Sequence, residues 1–155
     1  MDNVLEKNKG VVRRWVNELF NGGNLNVADE IIAPNATQQG EFFPMLPIGP
    51  EGHKQLVRRS RNAFGNNVHI ILDPNPYGIV AENDMVTTNW TARGTHQGTF
   101  MGRPPTGRPV VITGSDTWRL EDGKIVGNRC VCDLLSLLQQ IDAMPANAMP
   151  ATPPG

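Results

Sequence analysis

The stretch Val110–Cys132 reads VVITGSDTWRLEDGKIVGNRCVC. Two β-rich runs, Val110–Leu120 and Lys124–Cys132, flank Glu121-Asp122-Gly123. Asp-Gly between two such runs is a strong hairpin signal. Upstream, the same character continues. Val68–Leu72, Tyr77–Ala81 and Met85–Arg93 read as strands, separated by turns at Asp73-Pro74-Asn75-Pro76 and Glu82-Asn83-Asp84. A Pro/Gly loop, Gly102–Pro109, leads into the hairpin. Downstream, Leu134–Ile141 turns helical, with Asp133 placed to cap it.

The N-terminal half has the period of helices instead. Val4, Leu5, Val12, Trp15, Val16, Leu19 and Phe20 recur at helical spacing, and Asn21-Gly22-Gly23 stops the run. A short helix over Val27–Ile32 follows, with Asn26 as its N-cap. Asn35–Ile48 reads as a short strand and then a loop carrying Phe42, Phe43, Met45 and Leu46. Gly49-Pro50-Glu51 starts a third helix that runs to Phe64, with Gly65 as its C-cap. Leu56, Val57, Ser60, Ala63 and Phe64 form its buried stripe, leaving Arg58, Arg59 and Arg61 to solvent. The order of elements predicts an α+β fold. It is a cone-shaped, curved antiparallel sheet with three N-terminal helices over its concave face and a short C-terminal helix. Residues 1–142 form one domain, and the Pro/Ala-rich stretch 143–155 reads as a disordered tail.

Composition excludes several classes. The chain has 155 residues, with 14 Lys plus Arg against 15 Asp plus Glu. No basic stripe marks a nucleic-acid binder, and no apolar run spans a bilayer. The N-terminal MDNVLEKNKG lacks a signal-peptide pattern. Two cysteines, Cys130 and Cys132, make neither a disulfide framework nor a metal site. The expected compartment is the cytoplasm. No glycine-rich phosphate loop follows a strand, so no cofactor is expected.

Gly94-Thr95-His96-Gln97-Gly98-Thr99-Phe100-Met101-Gly102, followed by Pro105-Thr106-Gly107-Arg108, resembles the signature of SnoaL-like polyketide cyclases. Arg119–Ile125 is similar to the hairpin of that family, Asp133 with Leu137–Gln140 to its closing segment, and Gly49–Gly52 to its third-helix start. The resemblance covers residues 8 to 141. It implies the cone fold of the nuclear-transport-factor-2-like superfamily, a homodimer, and a pocket for a hydrophobic small molecule. In the aldol cyclases of the family, no cofactor is used and an aspartate is the general acid/base. That aspartate lies seven positions after the hairpin glycine, which is Cys130 here. The family's histidine falls at Asp116 and its neighbouring glutamine at Gly114.

A thiol titrates several units above a carboxylic acid and does not replace it. Two readings follow. Either Asp116 takes over proton transfer from the facing strand, or the aldol chemistry is lost. Asp116 is otherwise an outer-face residue or a salt-bridge partner of Arg93 or Arg129. Cys130 is a pocket wall or a weak donor. His96 is either a proton donor at the mouth or a structural residue holding the bend to the loop after it. Gln38, Phe20 and Leu56 fall on pocket positions of the cyclases. Asn128 shares the face of Cys130 by strand alternation. Trp90 and Trp118 either line a wall against a flat substrate or pack in the core. The Phe42–Leu46 loop is a lid or a dimer contact. His53 and His69 are expected at the surface.

The expected function is cofactor-free ring closure or isomerisation of a polyketide- or terpenoid-like carbonyl compound, a step of natural-product biosynthesis. The alternatives are a non-catalytic binding cone and a reductase-assisted hydroxylase component.

Overall fold

Along the strand Pro109–Glu121 the side chains alternate. Val110, Ile112, Asp116, Trp118 and Leu120 are buried, and Val111, Thr113, Arg119 and Glu121 are exposed. This is the pattern of a sheet with one covered face. In the computed structural model, which describes residues 2–40, 42 and 45–144, β5 is Pro109–Glu121 and β6 is Lys124–Cys132. The sheet also contains β1 (Ile32–Gln39), β2 (His69–Leu72), β3 (Ile79–Glu82) and β4 (Met85–Thr95). The strand order is β1-β6-β5-β4-β2, with β3 also paired to β4. The helices are α1 (Asp2–Arg14), α2 (Val27–Ile31), α3 (Pro50–Phe64) and α4 (Leu134–Gln140).

The α+β architecture and its curved sheet are as the sequence predicts. Several details differ. One pairing is parallel: β1 runs alongside β6. It begins at Ile32, which the sequence placed in the second helix. Pro34 is tolerated because β1 is an edge strand, where a missing N–H breaks no ladder bond. Asn26 occupies the cap position of α2 without a side-chain bond. At the other end, Asp133 does cap α4, its Oδ1 accepting from Ser136 N–H at 3.0 Å. Of the tail, only Ala143 and Met144 are described; residues 145–155 lie outside the described residues.

The first helix changes pitch halfway. After Arg14 it continues as a π-helix, Trp15–Asn21. Bonding from residue i to i+5 stacks residues five apart. Trp15 and Phe20 are so related, and their rings stack at 5.6 Å. This widened turn aims both rings at the sheet. Its open end is held by Arg61, whose guanidinium donates to the carbonyls of Phe20 (3.1 Å) and Asn21 (2.8 Å). Arg61 therefore spans between helices instead of facing solvent.

α3 enters from Gly49. This residue has φ of 76°, and a Cβ there would lie 2.5 Å from the Pro34 carbonyl oxygen. Only glycine fits that contact. The Gly49 N–H bonds the Ala36 carbonyl at 2.8 Å, so the loop after β1 is pinned to the strand it left.

β6 carries one residue more than β5 where the two pair. Arg119 faces Gly127, but Leu120 faces Ile125, so Val126 is a bulge. A bulge reverses which face later residues occupy. Ile125 points inward, and beyond Val126 the inward set becomes Asn128, Cys130 and Cys132. Arg129 and Val131 are thereby turned out to solvent.

Candidate active site

The helices do not fill the cone. A cavity of 280 Å³ remains between the sheet and the helices. Its walls are largely apolar, with Trp15 and Phe20 from the π-helix, Leu56 and Phe64 from α3, and Ile112 from β5. Its polar groups are few: Gln38, Gln39, Ser60, Asp116, Asn128, Cys130 and Cys132, with Arg93. Concave apolar walls with a few convergent polar groups are the usual form of a small-molecule site.

Asp116 is the centre of the polar set. It is 7 % exposed and lies between Thr88 on β4 and Cys130 on β6. Its Oδ2 accepts from Trp90 Nε1–H at 2.5 Å, and its Oδ1 accepts from Asn128 Nδ2–H at 3.0 Å. The Cys130 thiol donates to the same carboxylate. Burial pushes the Asp116 carboxyl above its ordinary range, and the bonds from Asn128, Trp90 and Cys130 pull it back. Cys130 moves up strongly. Its hydrogen bond with Cys132 is the largest cause, followed by burial and the neighbouring carboxylate. It is a neutral thiol and a donor, with no thiolate character at physiological pH.

Trp90 reaches Asp116 because of what is missing on β5. Gly114 lies opposite Trp90, and a Cβ there would meet the indole ring at 2.4 Å. The ring lies flat across that notch and extends toward Asp116, two residues along the same face.

Gln38 lines the cavity from β1, where it pairs with Asn128 of β6. Both amide atoms are buried and have no hydrogen-bond partner among the described residues. Leaving an amide so is costly unless something else satisfies it. At the rim, Phe42 packs on Phe64 (5.9 Å) and Phe100 (5.0 Å). With Met45 and Leu46, it borders the opening. Phe43 and Pro44 lie outside the described residues.

The structure thus brings Asp116, Cys130, Gln38, Asn128, Trp90, Phe20 and Leu56 to one cavity. It places Trp118 and His96 elsewhere. Trp118 is 1 % exposed and tilted against Trp15 at 4.8 Å. Its Nε1–H donates to Thr88 Oγ1 at 3.0 Å, so it supports the site from the core. His96 is fully buried beside Phe64 and does not line the cavity. Its Nδ1 accepts from the Thr106 N–H at 3.2 Å, and its backbone N–H bonds the Arg108 carbonyl at 2.8 Å. These bonds hold the loop 97–107 to the end of β4. Burial lowers the His96 value, which keeps the ring neutral.

His53 corrects an expectation directly: it is fully buried. It lies on the same α3 face as Val57, Ser60 and Phe64, all buried. The spacing four before Val57 carried that signal, but a histidine in an apolar stripe reads as polar. The notch at Gly114 and the bulge at Val126 had no comparable signal. Each depends on what lies across the sheet.

Among the described residues no group of three or more His, Cys, Asp or Glu side chains is arranged to hold a metal ion. Also among them, no helix is long and apolar enough to cross a membrane.

Comparison with known proteins places this geometry. TsrD from Streptomyces laurentii superposes with a TM-score of 0.78 at 23 % identity, over 90 % of this chain and 97 % of that one. AclR from Streptomyces galilaeus, a candidate hydroxylase, superposes at 0.75 with 24 % identity, over 95 % of this chain and 87 % of that one. IdmH from Streptomyces antibioticus, a candidate polyketide cyclase, gives 0.70 at 30 % identity, over 87 % of this chain and 98 % of that one. No curated protein matches in sequence. The family model of the SnoaL-like polyketide cyclases matches residues 10–141. The match takes in the end of α1, the π-helix, α2, α3, the whole sheet and α4, and the chain belongs to the SnoaL-like polyketide cyclase family.

Proposed function

We propose that the protein is a cofactor-independent enzyme that closes or isomerises a hydrophobic, polyketide- or terpenoid-like carbonyl compound by proton transfer. The observation that carries this reading is the Asp116 carboxylate, buried in the apolar cavity with no cationic partner in hydrogen-bond contact among the described residues. Burial lifts its affinity for a proton toward the range where a base works well near neutral pH.

In the proposed reaction, Asp116 takes the proton from the carbon next to a substrate carbonyl. The electron pair moves onto the carbonyl oxygen as an enolate. The Gln38 amide N–H, without a partner among the described residues, donates to that oxygen. For ring closure, the enolate carbon forms a bond to a second carbonyl carbon. The resulting alkoxide takes the proton back from Asp116. For isomerisation, the same proton returns to a different carbon. Trp15, Phe20 and Leu56 exclude water and hold the ring system. His96 and Trp118 take structural roles in this scheme. Cys130 supplies a hydrogen bond.

We also place the enzyme in the cytoplasm as a homodimer. Ile71, Val111 and Val131 are exposed on the convex face of the sheet at 48 %, 37 % and 61 %. Sedimentation of Val131→Glu beside the wild type tests the dimer; an unchanged mass refutes this face.

The activity test is Asp116→Asn assayed on a panel of aromatic and polyene β-keto compounds. Turnover falls ~10²–10⁴-fold if Asp116 is the acid/base. Full turnover in the variant refutes the assignment. A second reading, a binding cone without catalysis, draws on the neutral thiol at the position of the family's acid. It predicts that the wild type returns every bound compound unchanged.

A further inference from the structure

We infer that Trp90 is a positioning residue: seated in the notch left by Gly114, its indole N–H holds the Asp116 carboxylate in its ionised form, aimed into the cavity. This deepens the acid/base reading of Asp116 and rests on it.

Three features converge. An indole N–H only donates; it has no lone pair with which to accept. The Trp90 bond at 2.5 Å therefore favours an oxygen that keeps its lone pair free, and so the carboxylate over the acid. Asn128 differs, since its amide also carries an oxygen that accepts when the side chain turns over. The two carboxylate oxygens are thus not equivalent. Oδ2 is committed to Trp90, while Oδ1, bonded to Asn128 at 3.0 Å, is the oxygen whose partner adapts to an arriving proton.

The backbone sets this up. Trp90 pairs with Gly114 and Thr88 pairs with Asp116 in the β4–β5 ladder. An indole standing upright on β4 stays above Gly114. It reaches Asp116 only by leaning across position 114, and any side chain there blocks the lean, with a Cβ 2.4–2.9 Å from three ring atoms. Gly114 is therefore part of the same device.

The other titratable or charged groups that share the cavity with Asp116 are Cys130 and Cys132 from β6 and Arg93 from β4. Among the residues lining the cavity from β1 and α3, Gln38, Leu56, Ser60 and Phe64 carry no charge. His53 lies behind Trp15 and donates nothing to Asp116.

The test follows the Asp116 carboxyl directly. Protein carrying aspartate labelled with carbon-13 at its carboxyl group is titrated by NMR, and Asp116→Asn identifies the signal. Trp90→Phe keeps a smaller aromatic ring and removes the donor. Its Asp116 midpoint is expected to rise by about one pH unit, the size associated with one hydrogen bond to a charged group. Gly114→Ala, which displaces the ring, moves the midpoint in the same direction. In a Trp90→Phe background, Gly114→Ala adds less than about a third of that shift. An unchanged or lowered midpoint in Trp90→Phe overturns the inference. So does a Gly114→Ala shift that persists undiminished without the indole. If Asp116→Asn retains full turnover, the acid/base reading falls while the titration still decides the role of Trp90. If both stand, the acid limb of the kcat–pH profile moves upward with the NMR midpoint.

Discussion

Trp15 donates its indole N–H to Nδ1 of His53 across 2.9 Å, and both side chains are buried. An acceptor at Nδ1 places the ring proton on Nε2 and makes the imidazole neutral. Burial lowers the His53 value from 6.5 to about 3. The pair joins the π-helix to α3, the two elements that form the helical side of the cavity.

The protein is expected to lose stability in acid through His53. Its folded value is depressed, so the unfolded chain takes up the proton first as pH falls. Stability is full above the ordinary value and drops between about pH 6.5 and 3. Between pH 7 and pH 5 the loss is about 2 kcal/mol. Urea unfolding at both pH values measures it. His53→Gln, which still accepts from Trp15, flattens the dependence; equal slopes for both proteins refute the prediction.

Asp116 has the opposite sign. Its folded value is raised above the ordinary carboxyl value of 3.8. The stability it allows is complete below that value and is lost as pH rises through it toward the folded value. Asp116→Asn therefore melts above the wild type at pH 7, and the gap closes near ~pH 4. A site residue that costs stability is common where function requires it. Calorimetry showing a lower melting temperature for the variant at pH 7 counts against this account.

Gln38→Leu separates recognition from folding. The buried amide has no partner among the described residues to lose, so the fold is expected to keep or gain stability. Affinity for a carbonyl ligand falls about 5- to 10-fold, as for one lost hydrogen bond. Calorimetric titration of a ring-fused ketone with both proteins reads the difference. Equal affinity removes Gln38 from the proposed enolate contact.

Asp133→Ala tests a purely structural acid. Losing the bond to the Ser136 N–H costs about 1 kcal/mol and lowers the melting temperature by about 2–4 °C. Turnover per folded molecule is unchanged. A loss of activity at full folding places Asp133 in the site instead.

The hairpin at Asp122-Gly123, the start of α3 at Pro50 and the cap at Asp133 were legible because each depends on neighbours in the chain. Burial was less so. His53 and Arg61 are polar residues whose partners lie 38 and 40 or 41 positions away, and no local pattern announces them. Trp90 and Trp118 look alike in sequence, both in β-rich runs. What separates them is the residue opposite. Trp90 faces Gly114 and leans toward Asp116; Trp118 faces Val86 and Asn128 and meets Trp15 in the core. The cyclase-like positions of Gln38, Phe20 and Leu56 came from resemblance, and the cavity that joins them came from the three-dimensional path of β1, the π-helix and α3.

The bulge at Val126 makes the cavity's chemistry a matter of counting. Were the bulge lost with every residue kept, even pairing from Ile125 onward would trade Asn128, Cys130 and Cys132 for Gly127, Arg129 and Val131 on the inner face. The uncharged polar set beside Asp116 would become a cation and an isopropyl group with no point substitution at any of those sites. A one-residue slip of β6 against β5 is thus a larger step in ligand preference than most amino-acid replacements. The pairing register of that strand is the place to look when relatives with similar walls accept different molecules.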